Sequence, residues 1–339
     1  MRTLEVSGNP YQRGFQHGTA FSKEIREFAA SRIELLKGYL PTWTTQEINE
    51  LAQKQIDVLQ EYREEFEEFC GIADGADLPQ EDLMVLNNYT DMRNFSTPEQ
   101  GCSALYYKKH NELIYGQTWD MTPEALPYLL HLKIKDVNDT HIFTVVGCLA
   151  LCGVASHGVG VFINDLKTTE TGRGLMWPAL VRCLLKQRTA ADGLRFIKKN
   201  LPSSGHHYLI CDNKECYSVE TTGQRIDTVK TVTGSGVAFH TNHYLGKLGS
   251  TVADGSLSTT TLLRYDHINE YFNKNDKLTF QEVARGLFGT DLASGGVCML
   301  PSTPSAAITC GGLLFDGIKK TGVVFEADYC AKNLTKFSF

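Results

Sequence analysis

The amino-acid sequence predicts a layered α+β sandwich, and three observations carry that prediction. Apolar residues recur at helical spacing through the N-terminal third; after Gly101 short β-branched or alternating runs take over; and those strands come in groups with helices between the groups, not in strict β-α-β order. Charge changes at the same point, since residues 1–101 hold 9 Lys and Arg against 18 Asp and Glu while the remainder holds 24 against 21. The expected organisation is one structural domain, with a helical N-terminal segment, 1–101, and a sheet-rich region, 102–339. No internal repeat, low-complexity tract or long linker argues for a second domain.

Element by element, Ile25, Phe28, Ala29, Ile33 and Leu36 mark one amphipathic helix. Ile48, Leu51, Leu59, Tyr62, Phe66 and Phe69 mark a second, after a cap at Thr44 or Thr45 and separated from the first by Pro41. Gly71 to Gly75 is read as the end of that helix, and Asp82 to Asn88 as a third, short one. The run Glu64, Glu65, Glu67, Glu68 reads as a solvated face. Cys102–Lys108 and Leu113–Thr118 read as a hairpin, followed by strands over 130–134, 141–146 and 158–164. Met176–Gln187 and Ala190–Asn200 are helical, and His207–Asp212 with Cys216–Glu220 form a second hairpin. Val237–Thr241 is a strand, Thr261–Phe272 and Thr279–Leu287 are helices, and strands Ala307–Phe315 and Gly322–Glu326 close the pattern.

Composition excludes several function classes. With 42% hydrophobic and 21% charged residues and a net charge of -6, the chain has a globular balance and no basic patch for nucleic acid or an anionic membrane. No apolar run reaches the roughly 18 to 20 residues of a membrane span, and Met1-Arg2-Thr3-Leu4-Glu5 is not a secretory signal, so the expectation is a soluble, cytoplasmic protein. Ten scattered cysteines follow no zinc spacing and read as reduced, mostly buried thiols. There is no P-loop, H-E-x-x-H or G-x-G-x-x-G motif, and Gly153 to Gly158 has the spacing G-x-x-S-x-G, which is not a nucleophile elbow. His206, His207, His240 and His243 lack a carboxylate or cysteine at metal-ligand spacing and read as structural. Neither a metal nor an organic cofactor is expected.

The chemistry concentrates at Gly101-Cys102. A thiol is a strong nucleophile only as thiolate and needs a base; hydrolysis of the bond before Cys102 would create that base as its own α-amine. Taken singly, Cys102 is a buried thiol, Asp120 the start of a turn toward Pro123, Asn164 and Asn242 strand-end turn formers and Arg264 a residue on a helix surface. As an ordered set they read differently.

Gly8-Asn-Pro-Tyr-Gln-Arg-Gly14-Phe-Gln-His17-Gly18, Gly101-Cys102, Gly116-Gln-Thr-Trp-Asp120 and His240-Thr-Asn242-His243 resemble, in order, the motifs of the acyl-coenzyme A:6-aminopenicillanic acid acyltransferase family. Gly160-Val-Phe-Ile-Asn164, and His207 to Asp212 through Val219-Glu220, are similar to the related choloylglycine hydrolases and penicillin V acylases. The resemblance implies a four-layer αββα sandwich of the N-terminal nucleophile hydrolase type, self-cleaved between Gly101 and Cys102, with 1–101 retained as a smaller chain. It implies Cys102 as nucleophile and, through its freed amine, base, with Asp120 orienting amine and thiol. Asn242, by its side-chain amide, and Asn164, largely by backbone N–H, would stabilise the oxyanion. Arg264, in a segment similar to the family's S/T-x-x-R, would favour thiolate and hold Asp120.

One departure is Gln117, where many choloylglycine relatives carry arginine; this argues against bile-salt chemistry by relation alone. Gly14 and Gly18 are expected to be packing or turn positions, with no catalytic role for His17, and Phe162, Trp177 and Tyr244 to lie near the specificity pocket. The implied activity is a cysteine amidohydrolase or acyltransferase acting on a linear, non-peptide amide or an acyl-thioester through a Cys102 thioester. Its partners would be that small molecule, its own cleaved N-terminal segment and, in a homo-oligomer, further copies. The alternatives are an N-acyl-lipid or bile-salt-like amidase and, from another class, an unprocessed, non-catalytic binding protein of the same fold.

Overall fold

The hairpin expected after Gly101 forms the middle of a sheet, and its alternate residues face two different cores. The computed structural model describes residues 1–93, 101–170, 172–252, 259–289, 297–299, 307–327 and 334–339. In chain order these form β1 (Arg2–Ser7), α1 (Pro10–Ala20), α2 (Ser22–Tyr39), α3 (Thr45–Leu59), α4 (Arg63–Ala76), α5 (Gln80–Arg93), β2 (Gly101–Lys109) and β3 (Glu112–Met121). Then come β4 (Leu129–Lys135), β5 (Thr140–Val145), β6 (Cys152–Ala155), β7 (Gly160–Asp165), α6 (Trp177–Leu185), α7 (Ala190–Lys199), β8 (His206–Cys211) and β9 (Glu215–Thr221). The last are β10 (Ile226–Thr233), β11 (Gly236–His240), α8 (Thr259–Lys274), α9 (Phe280–Phe288), β12 (Ile308–Asp316), β13 (Thr321–Glu326) and β14 (Leu334–Ser338).

Among the described residues the strands make two sheets, one in the order β1-β4-β5-β6-β7-β8-β9-β10 and one in the order β11-β2-β3-β12-β13-β14. Ala104 and Tyr106 of β2, Leu113 and Tyr115 of β3 and Leu313 and Phe315 of β12 belong to the core between the sheets. Their neighbours Leu105, Tyr107, Ile114 and Leu314 belong to a second core with Ile268, Phe272, Val283 and Leu287 of α8 and α9. A period of two with both faces buried is why these strands read as continuous apolar runs. On the other side α6 and α7 lie against β6 to β9, and α1 to α5 pack around them. The result is the αββα sandwich the motifs implied.

Three expectations are corrected. The 1–101 segment is not wholly helical, because β1 joins the larger sheet in parallel with β4, Arg2 opposite Leu130 through Ser7 opposite Lys135. The second helix is two, α3 ending at Leu59 and α4 starting at Arg63. Gly71 to Gly75 forms the last turns of α4, which ends at Ala76 as expected, and it faces α1. A Cβ on Gly14 would stand 2.0 Å from the Glu68 carbonyl oxygen, and one on Gly71 2.2 Å from that of Tyr11. The glycines are there so that two backbones can touch. Lastly, the Glu-rich run is not all solvated: Glu68 pairs with Arg182 at 2.8 Å and Glu65 with Lys186, and both acids are buried. These bonds tie α4 to the C-terminal half of the chain.

His17 is likewise structural, its buried Nε2 accepting the Gly147 N–H at 3.0 Å. Of the ten cysteines Cys330 lies outside the described residues; the other nine are in no disulfide among the described residues, and all are buried except the partly buried Cys70. Among the described residues no helix is long and apolar enough to cross a membrane.

Candidate active site

Cys102 is the second residue of β2, flanked by β3 on one side and by the continuation of β11 on the other. Its side chain belongs to the core between the sheets and is 8% exposed. The register of β11, His240 opposite Ala104, carries the chain to Asn242 at the level of Cys102. There the Cys102 N–H donates to Asn242 Oδ1 at 2.8 Å. The Asn242 Nδ2 donates to the Asp165 carbonyl at 3.0 Å, and its own N–H to Thr261 Oγ1 at 2.7 Å.

The Cys102 carbonyl is also held. It accepts Asn164 Nδ2, from β7 of the other sheet, at 2.8 Å and Arg264 Nη1, from α8, at 2.8 Å. Arg264 further donates to Ser103 Oγ at 3.0 Å and, through Nη2, to Asn242 Oδ1 at 2.9 Å. Asp120 of β3 stands opposite Gly101. Its Oδ1 accepts the Thr309 hydroxyl at 2.6 Å, and its Oδ2, buried and without a hydrogen bond among the described residues, is 4.0 Å from Arg264 Nη1. All five residues singled out in the sequence thus meet in one place.

Both asparagines meet the backbone of Cys102 through their side chains. Asn164 reaches Cys102 through its side-chain NH2, not through its backbone N–H. Asn242 turns its amide oxygen, not its NH2, toward Cys102; that assignment follows from two donors, Cys102 N–H and Arg264, on one side and the Asp165 carbonyl on the other.

The electrostatics disfavour a thiolate at Cys102. Burial, and then the neighbouring Asp120, push the Cys102 thiol well above its ordinary value, and Arg264 only partly offsets them. Burial raises the Asp120 carboxyl too, against Arg264 and the Thr309 hydroxyl. A thiol so placed stays protonated at neutral pH unless a base adjoins it.

Three features of the site lie outside the five residues singled out in the sequence. Thr309 is found only because β12 pairs with β3 and sets it opposite Asp120. Gln117, noted for its departure from arginine, is a fully buried strut whose Oε1 accepts the Ile163 N–H of the opposite sheet at 2.6 Å. Behind Asn164, His207 and His240 stack with centroids 3.7 Å apart, and His240 Nε2 is 3.0 Å from Glu220 Oε1. Of the proposed pocket residues, Phe162 is fully buried between the sheets against Tyr115, so it lines no open site. Trp177 Nε1 donates to Thr90, and Tyr244 Oη to the Thr221 carbonyl. Among the described residues no three His, Cys, Asp or Glu side chains are grouped to hold a metal.

A model of the acyl-coenzyme A:6-aminopenicillanic acid acyl-transferase family matches residues 107–291, more than half of the chain. The chain belongs to this family. The matched stretch contains Asp120, Asn164, Asn242 and Arg264 and starts just after Cys102. The chain is therefore an enzyme of amide hydrolysis and acyl transfer, acting on carbon–nitrogen bonds. A similar protein is the 40 kDa form of acyl-coenzyme A:6-aminopenicillanic-acid-acyltransferase from Emericella nidulans, 26% identical over 252 residues that cover 72% of this chain and 70% of that one. Among solved structures, penicillin V acylase from Agrobacterium tumefaciens is similar at a TM-score of 0.39 and 14% identity, over 70% of this chain and 86% of that one. A mutant conjugated bile acid hydrolase from Clostridium perfringens is similar at 0.46 and 10%, over 70% and 92%.

Proposed function

We propose that this family member is a self-processing cysteine amidohydrolase and acyltransferase, activated by cleavage between Gly101 and Cys102. The observation that carries the reading is that side chains from three separate parts of the chain, Asn164, Asn242 and Arg264, all bond to the peptide N–H and C=O of one residue, Cys102. A structural cysteine does not need both its backbone groups held by side chains.

In the uncut chain the Cys102 nitrogen is an amide and cannot take a proton from the thiol. Attack of Sγ on the Gly101 carbonyl moves the acyl group from nitrogen to sulfur; the carbon–nitrogen bond breaks and nitrogen takes the proton. Water then hydrolyses the thioester, leaving a carboxylate on Gly101 and a free α-amine and thiol on Cys102.

The α-amine has an ordinary pKa of about 8, and it is set where Asn242 Oδ1 already accepts from that nitrogen. It takes the thiol proton, sulfur attacks the substrate carbonyl, and the ammonium returns the proton to the departing amine. Asn164 and Arg264 fix the Cys102 carbonyl and so the angle at which nitrogen and sulfur face the substrate. The acyl-thioester is released to water or to a second amine, and it can be loaded from an acyl-thioester donor by the reverse exchange. The substrate class is a linear, non-peptide amide.

Intact mass under denaturing conditions tests this. Two fragments meeting at Gly101/Cys102, absent in Cys102→Ala, are expected. A single uncut chain that turns over amides would sink the requirement for a free α-amine.

A further inference from the structure

We infer that His207 is a positioning residue for this reaction: as the tautomer protonated on Nδ1, it fixes the Asn164 amide so that its NH2 faces Cys102. The inference rests on the role given to Asn164 above and extends the machinery to a residue that touches neither substrate nor nucleophile.

Asn164 is fully buried and uses every hydrogen-bonding direction it has that faces the site. Nδ2 donates to the Cys102 carbonyl at 2.8 Å and to the His240 carbonyl at 3.3 Å. With both amide hydrogens so placed, Oδ1 must accept, and its partner is His207 Nδ1 at 2.7 Å. That nitrogen must then carry the proton, and Nε2, 2.8 Å from Ser218 Oγ, must accept the serine hydroxyl. The other tautomer would set a lone pair against the Asn164 oxygen.

The ring cannot swing away either. It lies face to face with His240 at 3.7 Å and 5° between planes, and His240 is held by Glu220 Oε1, itself bonded to the Leu245 N–H. His207 is fully buried, and burial together with His240 holds it well below the ordinary histidine range, so it stays a neutral ring with one proton. One proton placed on one nitrogen thus decides which end of an amide meets the nucleophile, two strands away in the opposite sheet.

The test uses the geometry of the two amide side chains. In His207→Asn a short amide sits at the Nδ1 position and can still donate to Asn164; in His207→Gln a longer one sits at the Nε2 position and bonds Ser218 but leaves Asn164 Oδ1 unpartnered. His207→Gln is expected to slow self-cleavage and the kcat of the cut enzyme by roughly 10-fold or more, with little change in KM, and His207→Asn to restore most of the loss. In an Asn164→Ala background His207→Gln should add almost nothing, because the two act as one unit. Equal loss in both His207 variants, or additive loss in the double variant, overturns the inference. If His207→Gln does not fold, the nitrogen chemical shifts of histidine-labelled wild type decide it: a proton on Nδ1 supports it and a proton on Nε2 overturns it. Wild-type rates in Asn164→Ala would instead bring down the role given to Asn164, and this inference with it.

Discussion

At the scale of single residues, Gly101 is constrained as tightly as the cysteine after it. A Cβ there would stand 2.4 Å from Arg264 Nη2 and 3.0 Å from Asn242 Oδ1, the two groups that hold Cys102. Arg264 is the end of a long side chain and can move aside, but only by leaving the Cys102 carbonyl, Ser103 and Asn242. Gly101→Ala should therefore fold with a near-normal melting temperature and cut itself more slowly, by up to about 100-fold. Once cut, residue 101 ends the other fragment, so turnover per processed molecule should match wild type. A time course of intact mass alongside active-site titration checks both halves; wild-type processing in Gly101→Ala would show that the close contact does not position the attack. Sequence reasoning found Cys102, Asp120, Asn164, Asn242 and Arg264 because they fall in ordered motifs. It could not find Thr309 or the direction of the two asparagine amides, since those depend on pairings between strands far apart in the chain.

At the scale of elements, the strands that came out of the sequence are those whose middles are buried on both faces, such as β2, β3 and β12, with charged residues only at their ends or in the site. Those that did not are β1, β10 and β14, which lie at sheet edges and carry exposed polar residues, and the four-residue β6. Near the end of α4 glycine serves packing as well as termination. The pairing of α1 with α4 makes a test of that distinction. Gly14→Ala must force two backbones apart and is expected to destabilise the fold by about 1 to 3 kcal/mol or more. Gly38, inside α2, has open space where a Cβ would go. There Gly38→Ala should stabilise by roughly 0.5 to 1 kcal/mol. Urea unfolding of the two variants side by side measures the contrast, and an equal effect at both positions would refute close approach as the reason for glycine at position 14.

At the scale of the whole molecule, the many histidines kept neutral by burial make a prediction about acid. Burial holds His17 down at about 4, His131 at about 3 and His141 at about 4, and it depresses His207 and His243 as well. His131 Nε2 and His141 Nδ1 share one hydrogen bond at 2.9 Å, which an added proton on the accepting nitrogen would replace with two opposed N–H groups. In the unfolded chain each histidine takes up its proton near pH 6.5, whereas in the folded chain it does so only near its depressed value. Between those limits the unfolded state binds more protons, so stability is fully present above about pH 6.5 and is lost as pH falls toward 4. For His17 alone the shift is worth roughly 3 kcal/mol. The carboxyls of half-buried Asp82 and buried Asp91 and Asp120 work the other way, since burial raises all three and protonation relieves it, but among the described residues they are three against five. The melting temperature should fall clearly between pH 7.5 and 5.0, with part of the fall removed in His17→Gln, whose amide can still accept the Gly147 N–H but binds no proton. A melting temperature that held steady or rose over that interval would mean that these histidines find their protons, and partners for them, inside the fold.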